Sequence, residues 1–256
     1  MPTPFMHLHI AEHIRESLRD RVGQTGQLSA VLADQWPAFC LGTVAPDYQV
    51  LCGVPREATH FYSLPPDPDN QAYPLMLARY PHLRDTCSLP ANQALFIAGY
   101  SAHLMLDLIW FRQIVEPMFY YRSQLGDIRK RHLLHLILLC YHDKLAFEAL
   151  PDTVGNTLAS VQPEGWLPFA ADEELTNWRD YLAAQLLPGG TSKTVEIYAG
   201  RLQMTTEAFT AKLDNGVWLQ KNLFAHVSVL AVKEILAEAV PASIRLINSY
   251  LNDILM

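Results

Sequence analysis

Phe96–Phe111, FIAGYSAHLMLDLIWF, is the stretch on which the fold turns: helix-length, apolar throughout, and carrying only two side chains that titrate at or below neutrality, His103 and Asp107. Their i, i+4 spacing puts them on one helical face, in line with Gly99 one turn earlier. A carboxylate inside an apolar helix needs a partner, and His103 as an imidazolium, a neighbouring Arg or a metal cation would each serve. The wider run 94–111 is apolar enough to resemble a membrane span. An ionisable pair at its centre is unfavourable in lipid, so a buried helix of a soluble protein is expected.

Outward from this helix the pattern stays helical, and an all-α fold is predicted. Thr3 and Pro4 make a good N-cap and N1 pair, and His7, Ile10, Ala11, Ile14 and Leu18 recur at helical spacing, so a first helix is expected to about Arg21. At 100° per residue His7 faces inward, whereas His9 and His13 fall on the polar side with Glu12, Glu16 and Arg19. Further helices are expected at 27–34, 72–79, 91–114, 128–147, 172–187, 194–213, 219–238 and 242–254. The Pro- and Asp-rich segment 55–71 reads as a loop carrying Arg56, Glu57 and His60. No stretch alternates as a strand does. Residues 1–256 read as one helical domain, with a possible division at the Pro/Gly-containing break 151–168 into a core of residues 1–150 and a C-terminal part, 165–256.

Half of the 256 residues are hydrophobic and 18% are charged, which excludes a disordered tail or a disulfide-built mini-protein. The formal charge of −7 leaves no general basic surface for a nucleic-acid backbone. Cys40, Cys52, Cys87 and Cys140 show no C-x-x-C spacing and read as buried thiols. The first residues lack a basic region followed by an uncharged apolar core, so no secretory signal is expected and a cytoplasmic location is inferred. Nor is there a G-x-S-x-G, a phosphate-binding Gly-rich loop or a dinucleotide fingerprint, which disfavours serine hydrolases, nucleotide hydrolases and Rossmann enzymes.

Three more inward-looking groups join the pair on the long helix: His7, Asp47 in APDY, and His60 in EATHFY. Each alone has an ordinary reading, a hydrogen-bonded core histidine or a turn-closing aspartate after proline. Together they make three His and two Asp, the ligand types that zinc takes at about 2.0–2.2 Å. Arg56, beside His60, could grip a phosphate bidentately, although an Arg in a Pro-rich loop ordinarily points to solvent.

The segments MHLHIAEHI (6–14), APDY (45–48), EATHFYSLPPDPD (57–69) and FIAGYSAHLMLD (96–107), in that order, resemble the zinc-dependent phospholipase C family and the related single-strand-specific zinc nucleases. These are all-helical enzymes with a cluster of three zinc ions, so the resemblance implies a multi-helix bundle, here with extra C-terminal helices. It implies that His7, Asp47, His60, His103 and Asp107 are metal ligands, that Asp107 bridges two zincs, and that Asp47 also acts as the general base. The chain departs from the pattern at two places. Six residues precede His7, where the secreted phospholipases use a terminal amino group as a ligand. The stretch LIWFRQIVEP (108–117) has no His, and the next helix has no H-x-x-x-E. On that next helix His132, His135 and His142 share a sector of about 80°; they could rebuild a further metal position or line a polar groove.

The expectation is therefore a zinc-dependent hydrolase of phosphate esters, a phospholipase C-like phosphodiesterase holding one or two ions, with a small phosphate ester or a phospholipid head group as substrate. The rival is a metal-stabilised helical scaffold or binding module that keeps the ligands without turnover.

Overall fold

A computed structural model describes residues 1–19, 24–121 and 123–252. The first helix, α1 (Pro4–Leu18), starts where Thr3 Oγ1 accepts from Met6 N, and Pro4 occupies its first turn. It ends at Leu18, earlier than expected, with Arg19 as its cap; Arg21 lies outside the described residues. Next come α2 (Gln24–Asp34) and α3 (Trp36–Val44). At Pro46 the chain tightens into a 3-10 turn, Ala45–Tyr48, followed by the single-turn helix α4 (Gln49–Cys52). The segment expected to be a loop contains a short helix, α5 (Arg56–His60). Helix α6 (Tyr73–Arg79) leads to α7 (Ala91–Trp110), which continues in wider, π-type turns through Phe111–Tyr120.

Asp127 caps α8 (Ile128–Ala149) through Lys130 N. Helices α9 (Val154–Ala159) and α10 (Asp172–Leu186) follow, and then the expected helix 194–213 splits. It forms α11 (Thr194–Arg201) and α12 (Thr206–Leu213), with Gln203 at φ 55° between them, a conformation that stops a helix in a non-glycine residue. The remainder is α13 (Gly216–Leu219), a π-type turn, Gln220–Phe224, and α14 (Val229–Tyr250). Two helices were expected over 219–254; instead α14 runs through Pro241 unbroken, since its apolar face packs on α1 and α7. The expected end at Ile254 lies outside the described residues. The fold is all-helical, with no strand among the described residues.

Helix α7 is the spine. By length and composition the stretch 91–120 could cross a membrane, but 89% of its most apolar window is buried inside the protein. It packs most closely on α3, because each helix offers a glycine at the crossing. A Cβ on Gly42 would collide with the Phe96 carbonyl, and one on Gly99 with the Phe39 carbonyl. Helices α9 and α10 join the apolar cluster around α1, α3, α7 and α14, through Val154, Leu158, Leu175 and Trp178. Helix α8 packs on α1 and also joins α11 and α12 in a second cluster containing Met6, Trp110, Ile137 and Phe209. Each of the two apolar clusters draws on helices from before and after residues 151–168. Of the cysteines, Cys40 and Cys140 are buried as expected, but Cys52 and Cys87 are exposed, because each lies in a short turn at the surface.

Candidate metal centre

The α3–α7 contact fixes the first ligand-type side chain. Thr43 and Val44 end α3, and their carbonyls belong to the last turn, which has no acceptor role left inside the helix. His103 Nδ1 lies 2.8 Å from Thr43 O, and Trp178 Nε1 donates to Val44 O at 2.8 Å. A carbonyl only accepts, so His103 carries its proton on Nδ1 and turns the Nε2 lone pair inward. His60, the last residue of α5, is set in the same way. Thr59 Oγ1 donates to Arg56 O at 3.1 Å and therefore accepts from His60 Nδ1 at 2.8 Å. Tyr100 on α7 anchors this turn by donating to Thr59 O at 2.6 Å.

The two Nε2 lone pairs face each other 3.4 Å apart, and carboxylates surround them. Asp47, delivered by the 3-10 turn, places Oδ1 3.5 Å from His60 Nε2. Asp107 places Oδ2 3.5 Å from His60 Nε2 and 3.8 Å from His103 Nε2. His7, inward on α1, stacks on His103 with ring centroids 3.7 Å apart, and its Nε2 is 3.4 Å from Asp107 Oδ1. That pair lacks hydrogen-bond alignment, so two buried polar atoms, His7 Nε2 and Asp107 Oδ1, have no hydrogen-bond partner among the described residues. The donor atoms fall into two groups capable of holding an ion, His7–His103–Asp107 and Asp47–His60–His103. His13 is exposed and His9 partly so, away from the metal site as their helical angle predicts, whereas Glu12, expected on the same polar side, is buried and paired with Arg15.

Burial sets the charge states. It lowers the His103 pKa to about 3 and also lowers that of His60, so both rings are neutral at pH 7. It pushes the Asp47 carboxyl up, but the imidazoles of His60 and His103 outweigh it and hold the group at about 2. Asp107 is likewise pushed up by burial and pulled further down by His103, His7, Arg56 and His60, in that order, ending well below the usual carboxylate range. Two carboxylates and three imidazoles thus converge on space that a cation would fill.

For Arg56 the sequence leaves two readings, a phosphate grip and a solvent-facing loop residue; in the fold its side chain is only 21% exposed. Its Nη2 pairs with Asp107 Oδ2 and donates to Tyr62 OH at 2.7 Å. Tyr62, which the sequence did not single out, donates to Asp107 Oδ2 at 3.0 Å. Phe61 takes φ 62°, ending α5 and returning the chain so that Tyr62 reaches the site. Only the folded turn juxtaposes these groups, so no sequence spacing announces them.

Asp47 and Arg56 open onto a cleft of about 430 Å³, whose walls include Met1, Leu64, Tyr120, His132 and Tyr198. His132 and His135 line this cleft, but His142 opens on a different pocket between α1, α8 and α14. Trp110 Nε1 donates to His135 Nε2 at 3.1 Å, which occupies that lone pair. The three histidines of α8 are not brought together as one donor group among the described residues.

The family model for zinc dependent phospholipase C matches residues 6–134, half of the chain. The chain belongs to the zinc-dependent phospholipase C family. No curated protein and no solved structure gives a significant match. The match contains His7, Asp47, His60, His103 and Asp107, together with Arg56 and Tyr62, and stops before His135 and His142. The donor chemistry fits the family's metal: neutral imidazoles, ionised carboxylates and orphaned buried atoms are what zinc requires.

Proposed function

We propose that the chain is a zinc-dependent phosphodiesterase acting on a phospholipid head group or a similarly small phosphate ester. The observation that carries this reading is the facing pair of lone pairs, His60 Nε2 and His103 Nε2, ringed by Asp47 and Asp107. With both rings protonated on Nδ1, the two lone pairs face each other with no proton between them, and a cation would satisfy both. His7, Asp47, His60, His103 and Asp107 would hold one or two zinc ions, with the two oxygens of Asp107 facing different donor sets. The family's remaining position, served elsewhere by a further His and an H-x-x-x-E helix, has no such ligands here.

The chemistry that zinc supplies in such a site is acidification of a coordinated water toward pH 7 and neutralisation of phosphoryl charge. Asp47 is the general base in this reading. Its side chain is 18% exposed and lines the cleft, whereas that of Asp107 is 1% exposed. An ionised carboxylate at the cleft surface can accept the proton of an attacking water and later return it to the leaving group. Arg56 orients the substrate: Nη2 is engaged by Asp107 and Tyr62, while the buried Nη1 has no partner among the described residues. A phosphoryl oxygen would satisfy it. The Thr43 carbonyl and Thr59 hydroxyl keep the two imidazoles in their ligating tautomers.

One observation favours the scaffold reading. Arg56 already gives Asp107 Oδ2 a cation, so the site is partly neutralised by the chain itself. Hydrolysis of 4-nitrophenyl phosphorylcholine separates the two. The enzyme reading expects release of nitrophenol that stops on chelation, returns with zinc and falls at least a hundredfold in Asp47→Asn. Equal background rates for the wild type and His103→Ala would leave only the scaffold.

A further inference from the structure

A second pocket lies apart from the metal cleft. A half-open cavity of about 570 Å³ lies between α1, α8 and α14, on the face of α1 that carries His9 and His13. Its walls are mainly apolar, formed by Ile10, Leu145, Leu236 and Val240. Every ionisable side chain that lines it among the described residues is a base: His9, His13, His142 and Lys233. His9 and His13 touch through their Nε2 atoms at 3.1 Å, and His13 Nδ1 meets Glu16 at 3.3 Å. His142 is 5% exposed, and its Nε2 has no hydrogen-bond partner among the described residues. A buried polar atom is rarely left in that state, so a group missing from the protein is expected against it.

We propose that this pocket is a second binding site, for a single-chain amphiphile with an anionic head, whose head group meets His142 and Lys233 while its alkyl chain lies along Ile10, Leu145, Leu236 and Val240. The apolar lining calls for a hydrocarbon, and the Lys233 ammonium, close to the unpartnered His142 Nε2 and with no carboxylate lining the pocket among the described residues, calls for an anion. At about 30 Å³ for each water-sized group, the volume holds roughly nineteen such groups, enough for a twelve-carbon chain and its head. A carboxylate and a phosphate monoester share this chemistry. The site is independent of the metal centre: none of the five ligand-type side chains lines it.

Calorimetric titration of the full chain with dodecanoate, dodecyl phosphate and dodecanol, each below its micellar concentration, tests this. The expected result is one equivalent of at least one of the two anions, bound about tenfold or more tighter than the alcohol, a difference of about 1.4 kcal/mol. Which anion binds better names the head group. Lys233→Ala should lose most of that preference. Ala237→Trp, at an exposed position on the wall, fills the cavity without entering the core and should abolish binding. His142→Phe should do so too, but it could also disturb packing, so Ala237→Trp is decisive. Equal affinity for the alcohol would overturn the proposal. So would binding that survives Ala237→Trp, or binding lost in Asp47→Asn, which would place the ligand in the metal cleft. Concentration-dependent dimerisation that Ala237→Trp abolishes while dodecanoate fails to bind would overturn it in favour of a second copy of the chain.

Discussion

His103 Nδ1 donates to the Thr43 carbonyl at 2.8 Å, across the crossing of α3 and α7. This bond links the apolar packing of two helices to the chemistry of one imidazole, because it leaves the Nε2 lone pair facing His60 and Asp107. The crossing exists only because Gly42 and Gly99 let the backbones touch, so ligand geometry and core packing are one device.

Gly99→Ala is expected to push α3 and α7 apart, since its Cβ would meet the Phe39 carbonyl and lie 3.0 Å from Thr43 N. Overpacking of this kind destabilises by about 1–3 kcal/mol. Thermal unfolding of the metal-free protein should show it, with zinc affinity reduced in parallel. An unchanged Tm would mean that the close crossing is not needed.

Thr59→Val keeps the shape of α5 but removes the hydroxyl that accepts from His60 Nδ1. Loss of such a supporting partner weakens metal binding by about 10–100-fold. Competition with a chromogenic chelator measures it, and wild-type affinity would show that the Thr59 contact does not orient the ring.

Arg56→Met removes the chain's own cation from Asp107 Oδ2. Breaking a buried ion pair costs about 3–5 kcal/mol, less here because the guanidinium is partly exposed. The loss should be seen in chelator and should shrink when zinc is added, since both cations neutralise the same carboxylate. Equal destabilisation with and without zinc would separate Arg56 from the metal site.

The metal-free protein should lose stability in acid. His103 and His142 are buried with pKa values lowered to about 3 and 4, and that of His60 is also lowered. The unfolded chain binds their protons near pH 6.5 and the folded chain does not, so stability is full above about pH 6.5 and declines as pH falls toward 4. Asp47, held at about 2, adds loss of the same sign between about pH 4 and 2. A Tm in chelator that stays constant from pH 7.5 to 5 would contradict the neutral, buried state of these rings.

The long apolar run around His103 and Asp107, and the inward angle of His7, were legible because helical periodicity acts locally. The convergence of Asp47 and His60 on the same point entered through the ordered segments that carry the family resemblance, since no spacing rule brings residues 47 and 60 to a helix at 103. Arg56 was legible only as one of two readings, a phosphate grip or a solvent-facing loop residue, and Tyr62 was not legible at all. A five-residue helix and a left-handed Phe61 bring them in, and the Pro-rich composition around them reads as loop. The break between α11 and α12 carries no Gly or Pro, and the unbroken α14 carries Pro241, so the usual punctuation misled at both. Tertiary packing decided where local propensity spoke otherwise.

Zinc content per chain is the most direct measurement of the central claim, that five side chains from α1, the 3-10 turn, α5 and α7 form one metal centre. Elemental analysis of the purified protein should find one or two zinc ions per chain. The content should fall sharply in Asp107→Asn and His7→Ala and stay unchanged in His9→Ala, whose ring lies on the outer face of the same helix. A protein that holds no zinc after dialysis against excess metal, or one in which Asp107→Asn retains the full complement, would contradict the account.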